Sequence, residues 1–349
     1  MHVRLPLLWA LVPVFAAAGQ RDVSADLLIV LNKSDHEAVL VDPATLAPVA
    51  RIATGRGPHE VAVSPDGRTA YVSNYGMYGV FREGQRVNEP GNTLSVIDLE
   101  RRAVKDTFDL GTYAKPHGIA VSRDGGRVWV TCEDSRSVLE LDAASGAVLK
   151  AWKTGQETSH MIVPSVDESR LFVANIRSGS ATIIERANDR VTSLATAAGA
   201  EGIDVSPDGR EVWVTNRADS SISVLDARRD TVIATIESGG RFPIRVKFTP
   251  DGREAWVSCL QSNAVTVFDA RTRKLLATVP VGAAPVGIQM SPDGRRAFVA
   301  NTNDDLVTVI DVAARKVVAT FTTGNEPDGM AWAAGPKRGR RGGATAGSP

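Results

Sequence analysis

One motif is written six times along this chain. SPDGRTAYVSN at 64–74 returns as SRDGGRVWVTC from 122, SVDESRLFVAN from 165, SPDGREVWVTN from 206, TPDGREAWVSC from 249 and SPDGRRAFVAN from 291. The aspartates of these turns, Asp66, Asp124, Asp167, Asp208, Asp251 and Asp293, stand 58, 43, 41, 43 and 42 residues apart. Such a period means one supersecondary unit copied into an array. Each unit reads as four strands, in the first copy Val61–Val63, Ala70–Ser73, Leu94–Asp98 and Val104–Phe108. Alternation and β-branched residues favour strands, and Asp-Gly favours tight hairpins. No segment carries a helical period of useful length. Four short antiparallel strands in each repeat of this length are the signature of a β-propeller blade.

The chain ends supply a seventh unit. Residues 27–55 match the last three strands of a repeat, and PDGMAW at 327–332 matches the missing first one. The sequence therefore predicts an all-β, single seven-bladed β-propeller over 26–334, closed by a blade of three N-terminal strands and one C-terminal strand. Closure removes the open edges of an unclosed array. The long first step marks an insertion at 75–92, between the second and third strands of the first full blade. It sets Tyr75, Tyr78, Phe81, Arg82 and Arg86 among Gly76, Gly79, Gly84 and Gly91, a composition that suits a lid.

Through YVSN at 71–74 and WVTN at 213–216 the chain resembles the YVTN-repeat family of bacterial and archaeal propellers, over nearly the whole of 26–334. The resemblance implies the seven-bladed fold. Similar propellers include surface-layer proteins, lactonase-like enzymes, lyases and the nitrous-oxide-reductase N-terminal and haem domains of denitrification. Function has to be argued from the site.

Arg4, the apolar run Leu5–Ala18 and the small residues Ala16, Ala17 and Ala18 predict a signal peptide over 1–18. An exported protein, periplasmic or extracellular, is expected. The run is too short for a membrane span and no later one is longer. Forty basic residues balance forty acidic ones, so no long-range field gathers nucleic acid. The expected partner is a small molecule or a protein at one face of a monomer. Cys132 and Cys259 stand where Asn32, Asn74, Asn175, Asn216 and Asn301 end the other copies. The asparagines read as loop caps, and the cysteines, in blades across the ring, as buried thiols without a disulfide. The stretch 335–349, with Lys337, Arg338, Arg340 and Arg341 among Gly, Ala and Ser, predicts a disordered basic tail.

In such a ring the first strand of each blade is innermost. The loops entering it share one face, here called the top, with the loops joining second and third strands. The SPDG turns fall on the other face and need only turn chemistry. Two residues before each first strand stand His59, His117, His160, Glu201, Ile244, Val286 and Asp328. Three histidines at one repeat position in successive blades should converge at the channel mouth, with His36 on the same face. Three uses are open to them. They line a wet channel; they hold a divalent transition metal, with His59, His117, His160, Glu201 and Asp328 as candidate ligands; or they act without metal as acid and base. Candidate ligand-binding residues are Tyr75, Tyr78 and Arg82 of the insertion and Arg177, Arg217, Arg241 and Arg245 across the ring, where guanidinium groups would suit a carboxylate. Tyr71, Trp129, Phe172, Trp213, Trp256 and Phe298 share one second-strand position and read as core between blades.

No nucleophile elbow, paired-carboxylate motif, phosphate loop or haem-attachment CxxCH occurs. The expected function is that of an exported binding protein or scaffold, taking a small ligand, metal or protein at the channel mouth. The alternative is a metal-assisted enzyme of lactonase or lyase type. Haem handling through an axial histidine is a third.

Overall fold

The computed structural model describes residues 26–80 and 86–335, and of 78–80 and 86–88 the backbone alone. The expected signal peptide, Phe81, Arg82, Gly84 and the tail from Pro336 lie outside the described residues. Among those described, twenty-eight strands, numbered β1 to β28 in chain order, form seven four-stranded antiparallel sheets. No described helix is long and apolar enough to cross a membrane. The fold is the seven-bladed propeller that the repeat predicts. Six blades take four consecutive strands each, beginning with β4 (Pro58–Val63) to β7 (Ala103–Asp109). The seventh runs β28 (Pro327–Ala333), β1 (Leu27–Asn32), β2 (Glu37–Asp42), β3 (Ala47–Ala53). Leu28 lies opposite Trp332, and Val30 opposite Met330. Side chains reinforce this seam: Thr323 Oγ1 donates to Asn32 Oδ1 at 2.9 Å, and Asn325 Nδ2 to Asp35 Oδ1 at 2.7 Å.

Burial follows from radial stacking. A middle strand is covered on both faces by neighbouring blades, whereas the outer strand is covered by little. In β9 (Arg127–Cys132) everything from Val128 onward is buried, while β11 (Val148–Lys153) buries Trp152 alone. Trp129, Phe172, Trp213, Trp256 and Phe298 are fully buried at their shared position, and Tyr71 nearly so. Cys132 and Cys259 are buried, unbridged and in separate core clusters. Burial pushes both thiols up, Cys259 to about 11.

The turn aspartates bond locally, as turn chemistry requires. Ser64 Oγ donates to Asp66 Oδ1 at 2.6 Å, and that oxygen also accepts the Arg68 N–H at 3.0 Å. The motif-end asparagines do more than cap loops. Asn74, Asn175, Asn216 and Asn301 are buried, and their amides donate to Ser95, Thr182, Ser223 and Thr308 on the third strand at 2.8–3.0 Å. The hydroxyl partner lies seven or more residues downstream, so strand pairing has to be known before the bond can be seen.

The described part of the insertion extends the strands that flank it. β5 (Thr69–Val80) and β6 (Arg86–Asp98) continue as an antiparallel ribbon, with Tyr78 opposite Asn88 and Val80 opposite Arg86. Pairing satisfies backbone groups that a loop would leave to water. The register slips between Asn74 and Gly76, and such a bulge re-aims the residue within it, here Tyr75. Gly76 has φ 93° and a Cβ there would meet Glu89 O at 2.2 Å, so only glycine fits.

Candidate functional site

Two features of the repeat set the geometry of the mouth. Inner strands β4, β8 (Pro116–Val121), β12 (Ser159–Pro164), β16 (Ala200–Val205), β20 (Pro243–Phe248), β24 (Pro285–Met290) and β28 touch in cyclic order round the axis. In four blades glycine follows the ring position, Gly118, Gly202, Gly287 and Gly329, and there the approach is close: a Cβ on Gly118 would lie 2.5 Å from His160 O. The Ser or Thr of the YVSN-like motif then holds the next blade. Ser73 Oγ donates to His117 O at 2.7 Å, Thr131 Oγ1 to His160 O at 2.6 Å, Thr215 Oγ1 to Ile244 O at 3.1 Å and Ser258 Oγ to Val286 O at 2.7 Å.

On this frame the three imidazoles meet. Ring centres of His59 and His117 are 5.2 Å apart, and those of His117 and His160 3.6 Å. Tyr75 packs its ring 4.6 Å from His59 and 5.4 Å from His117. His160 Nδ1 is 2.5 Å from Glu133 Oε1, and Glu133 Oε2 accepts the Tyr75 hydroxyl at 2.5 Å. His160 Nε2 stands 3.5 Å from Glu201 Oε1, while Glu201 Oε2 accepts from Arg217 Nη1 at 2.8 Å. His59 Nδ1 donates to Gly57 O at 2.8 Å. His117 Nδ1 is buried with no hydrogen-bond partner.

Glu133 is the residue that sequence reasoning misses. It follows Cys132 directly, the place after the motif that Lys33, Tyr75, Arg217 and Leu260 hold in other blades. Those four line the same recess as the imidazoles. The available signal was therefore a second ring, one residue past the motif.

Protonation differs sharply along the row. Burial drives His59 down to about 4, with Lys33 adding to the effect. Burial and the adjacent imidazoles hold His117 well below the usual range. Burial also works against a charged His160, but hydrogen bonds and charge from Glu133 and Glu201 outweigh it and raise the ring to about 9. Burial would raise Glu133, yet His160 and the Tyr75 hydroxyl bring it below the ordinary carboxylate range.

The other candidates divide. Asp328 reaches the mouth, but its Oδ2 is 3.0 Å from Lys33 Nζ. Arg245 reaches it too and is paired across the axis with Glu60. Arg177 and Arg241 are exposed and stay outside the recess, and Arg241 Nη2 donates to Gln261 O at 3.3 Å. His36 accepts the Gly57 N–H on Nδ1 at 3.1 Å and does not join the row. Only the backbone of Tyr78 is described, and Arg82 lies outside the described residues. The recess measures about 260 Å³. A larger cleft, about 770 Å³, runs between SPDG turns on the opposite face. Its Arg253 and Arg295 bond their own turn aspartates, Asp251 and Asp293, and both arginines are exposed. No buried titratable cluster lies there among the described residues, whereas the mouth holds one.

The family model described as Cytochrome D1 heme domain matches residues 160–291. YncE of Salmonella typhi, an uncharacterized protein, is 24% identical over 187 residues, which cover 52% of this chain and 48% of the relative. The chain thus spans about half the length of the curated relatives it matches. The periplasmic gluconolactonase PpgL of Pseudomonas aeruginosa superposes with a TM-score of 0.72 at 20% identity, over 89% of this chain and 99% of that one. The dihydro-heme d1 dehydrogenase NirN, in complex with DHE, gives 0.64 at 18% identity, over 86% and 64%. At these identities the structures establish the fold alone. The chain is a seven-bladed β-propeller, similar in part to the cytochrome D1 heme domain and to YncE.

Proposed function

We propose that the channel mouth holds one divalent transition-metal ion on His117, Glu133 and His160, and that the chain is an exported, monomeric YVTN-repeat propeller binding a small molecule there. One observation carries this reading. A ligand atom from each of these three buried residues lies within 4.8 Å of the other two, and His117 Nδ1 lacks a partner. Leaving a buried ring nitrogen unpaired costs about 1–3 kcal/mol, and an ion would satisfy it. Two imidazoles and a carboxylate also match the donor sets of catalytic zinc and non-haem iron centres, which keep a coordination position open. His59 and Glu201 stand beside the set as further donors. Binding would displace the proton between His160 and Glu133, so affinity should fall in acid.

Elemental analysis of untagged protein is the direct test. About one equivalent of zinc, copper, iron or manganese is expected in the wild type, and none in His117→Ala or Glu133→Gln. Added Zn²⁺ should raise the melting temperature of the wild type only. A wild type without stoichiometric metal, whose melting does not respond to added metal, overturns the reading.

A second reading, catalysis of lactonase or lyase type, is favoured by the opposite protonation of His59 and His160 within one row. Groups pushed apart in this way suit proton acceptance and donation. Turnover in a lactone and ester panel, lost in His59→Gln and His160→Gln, is its expected outcome, and a panel without turnover by metal-loaded protein removes it. Haem is named in the matched family description; the described recess, about 260 Å³, would enclose only part of a tetrapyrrole, and the histidine row would supply its ligand.

A further inference from the structure

We infer that the ligand of the mouth is a small, uncharged, amphipathic molecule, its hydrocarbon part against blades five and six and its polar end toward the histidines. The inference rests on the proposed function only in taking the mouth as the binding site, and its charge argument is made for the metal-free mouth.

The ring positions fall into two arcs. Histidines occupy it in blades one to three, with Glu201 and Asp328 flanking them in blades four and seven. Blades five and six instead present Ile244 and Val286, buried in one apolar cluster against which Phe242 and Leu260 pack. All four line the recess, and Phe242 and Leu260 are only half-buried, so hydrocarbon faces the space opposite the imidazoles. A ligand that was polar throughout would leave this wall to water. One that was apolar throughout would strand the donors of the facing wall.

Charge narrows the class further. In the metal-free mouth each cation among the described residues already faces a carboxylate: Lys33 with Asp328, Arg245 with Glu60, Arg217 with Glu201, His160 with Glu133. An anionic or cationic ligand would enter the metal-free mouth without a counter-charge or would have to break a buried pair, either of which is costly. Arg217 and Arg245, which in the sequence suggest a carboxylate ligand, are thus already occupied. Volume sets the size. A recess of about 260 Å³, below the roughly 300–1,000 Å³ of drug-sized pockets, suits a small molecule.

Cyclohexanol, cyclohexanecarboxylate and cyclohexylammonium share one body and differ in charge, and their dissociation constants for the purified protein, stripped with chelator, can be measured by ligand-observed NMR titration. Cyclohexanol should bind tightest, by about fivefold or more over either ion. Leu260→Gln should weaken it by about fivefold with melting temperature and metal content as in the wild type, and Val286→Thr by about threefold with some loss of melting temperature, because its hydroxyl enters a buried apolar cluster. Tighter binding of either ion, no saturable binding of cyclohexanol, or equal affinity in both variants overturns the inference. Metal content read on the same samples separates the two claims. Wild type purified without metal that ranks the probes in this order sinks the metal and leaves the ligand class standing, whereas wild type purified with metal that prefers an ion once stripped does the reverse.

Discussion

Replacing Thr131 by valine deletes one hydroxyl and little else. That hydroxyl donates to His160 O at 2.6 Å and accepts the Gly118 N–H at 2.9 Å, in a fully buried position. Valine therefore strands a carbonyl in one blade and an amide in the blade before it. Each unpaired group costs about 1–3 kcal/mol, and the added methyl returns about 0.8 kcal/mol, leaving a net loss of roughly 1–5 kcal/mol. In a domain this large each kcal/mol lowers Tm by about 2 °C, so a drop of roughly 2–10 °C is expected. Differential scanning calorimetry of metal-free protein reads it, and Thr131→Ser, which keeps the hydroxyl, should melt close to the wild type. If Thr131→Val melts with the wild type, the hydroxyl bridges do not hold the blades together and the account of how the histidine row is fixed is wrong.

Two further outcomes follow from the fold. A chain ending at residue 325 lacks β28 and bares the edge of β1, so it should lose cooperative unfolding and aggregate; a wild-type melting curve would contradict closure of the ring through that strand. The six turn aspartates all sit below the ordinary value, chiefly through the neighbouring Ser or Thr hydroxyl and backbone N–H groups, with Asp167 at about 2. Groups with depressed folded pKa stabilise above their unfolded pKa near 3.8 and lose that contribution as pH falls through the folded value. Melting temperature should therefore decline from pH 5 toward pH 2, less steeply in Asp167→Asn, and an identical decline in that variant would refute the assignment.

The propeller is legible because each repeat copies both its turn and its strand alternation, which leaves few ways to bury seven apolar faces. His59, His117 and His160 are legible for a related reason: they interrupt a position filled in other blades by Ile244 and Val286. Glu133 is not legible in this way, since it lies beyond the last residue that aligns and its counterparts Lys33, Tyr75, Arg217 and Leu260 have nothing chemical in common. Nor can the sequence tell a ligand-seeking arginine from a satisfied one. Arg245 and Glu60 are 185 residues apart, and only the closed ring makes them partners. Glycines at 76, 79, 84 and 91 suit a lid, and the described stretches 76–80 and 86–90 pair as a ribbon, because hydrogen bonding between them outweighs the entropy that glycine adds to the unfolded chain.

The hydroxyls that grip the carbonyls of His117, His160, Ile244 and Val286 separate support from chemistry. At His117 and His160 the side chain takes no part in those bonds, so it can be swapped like a bit in a chuck. Exchanging either imidazole for another polar group should thus leave the ring closed and change what the mouth recognises, which makes this part of the rim a ready platform for building new specificity.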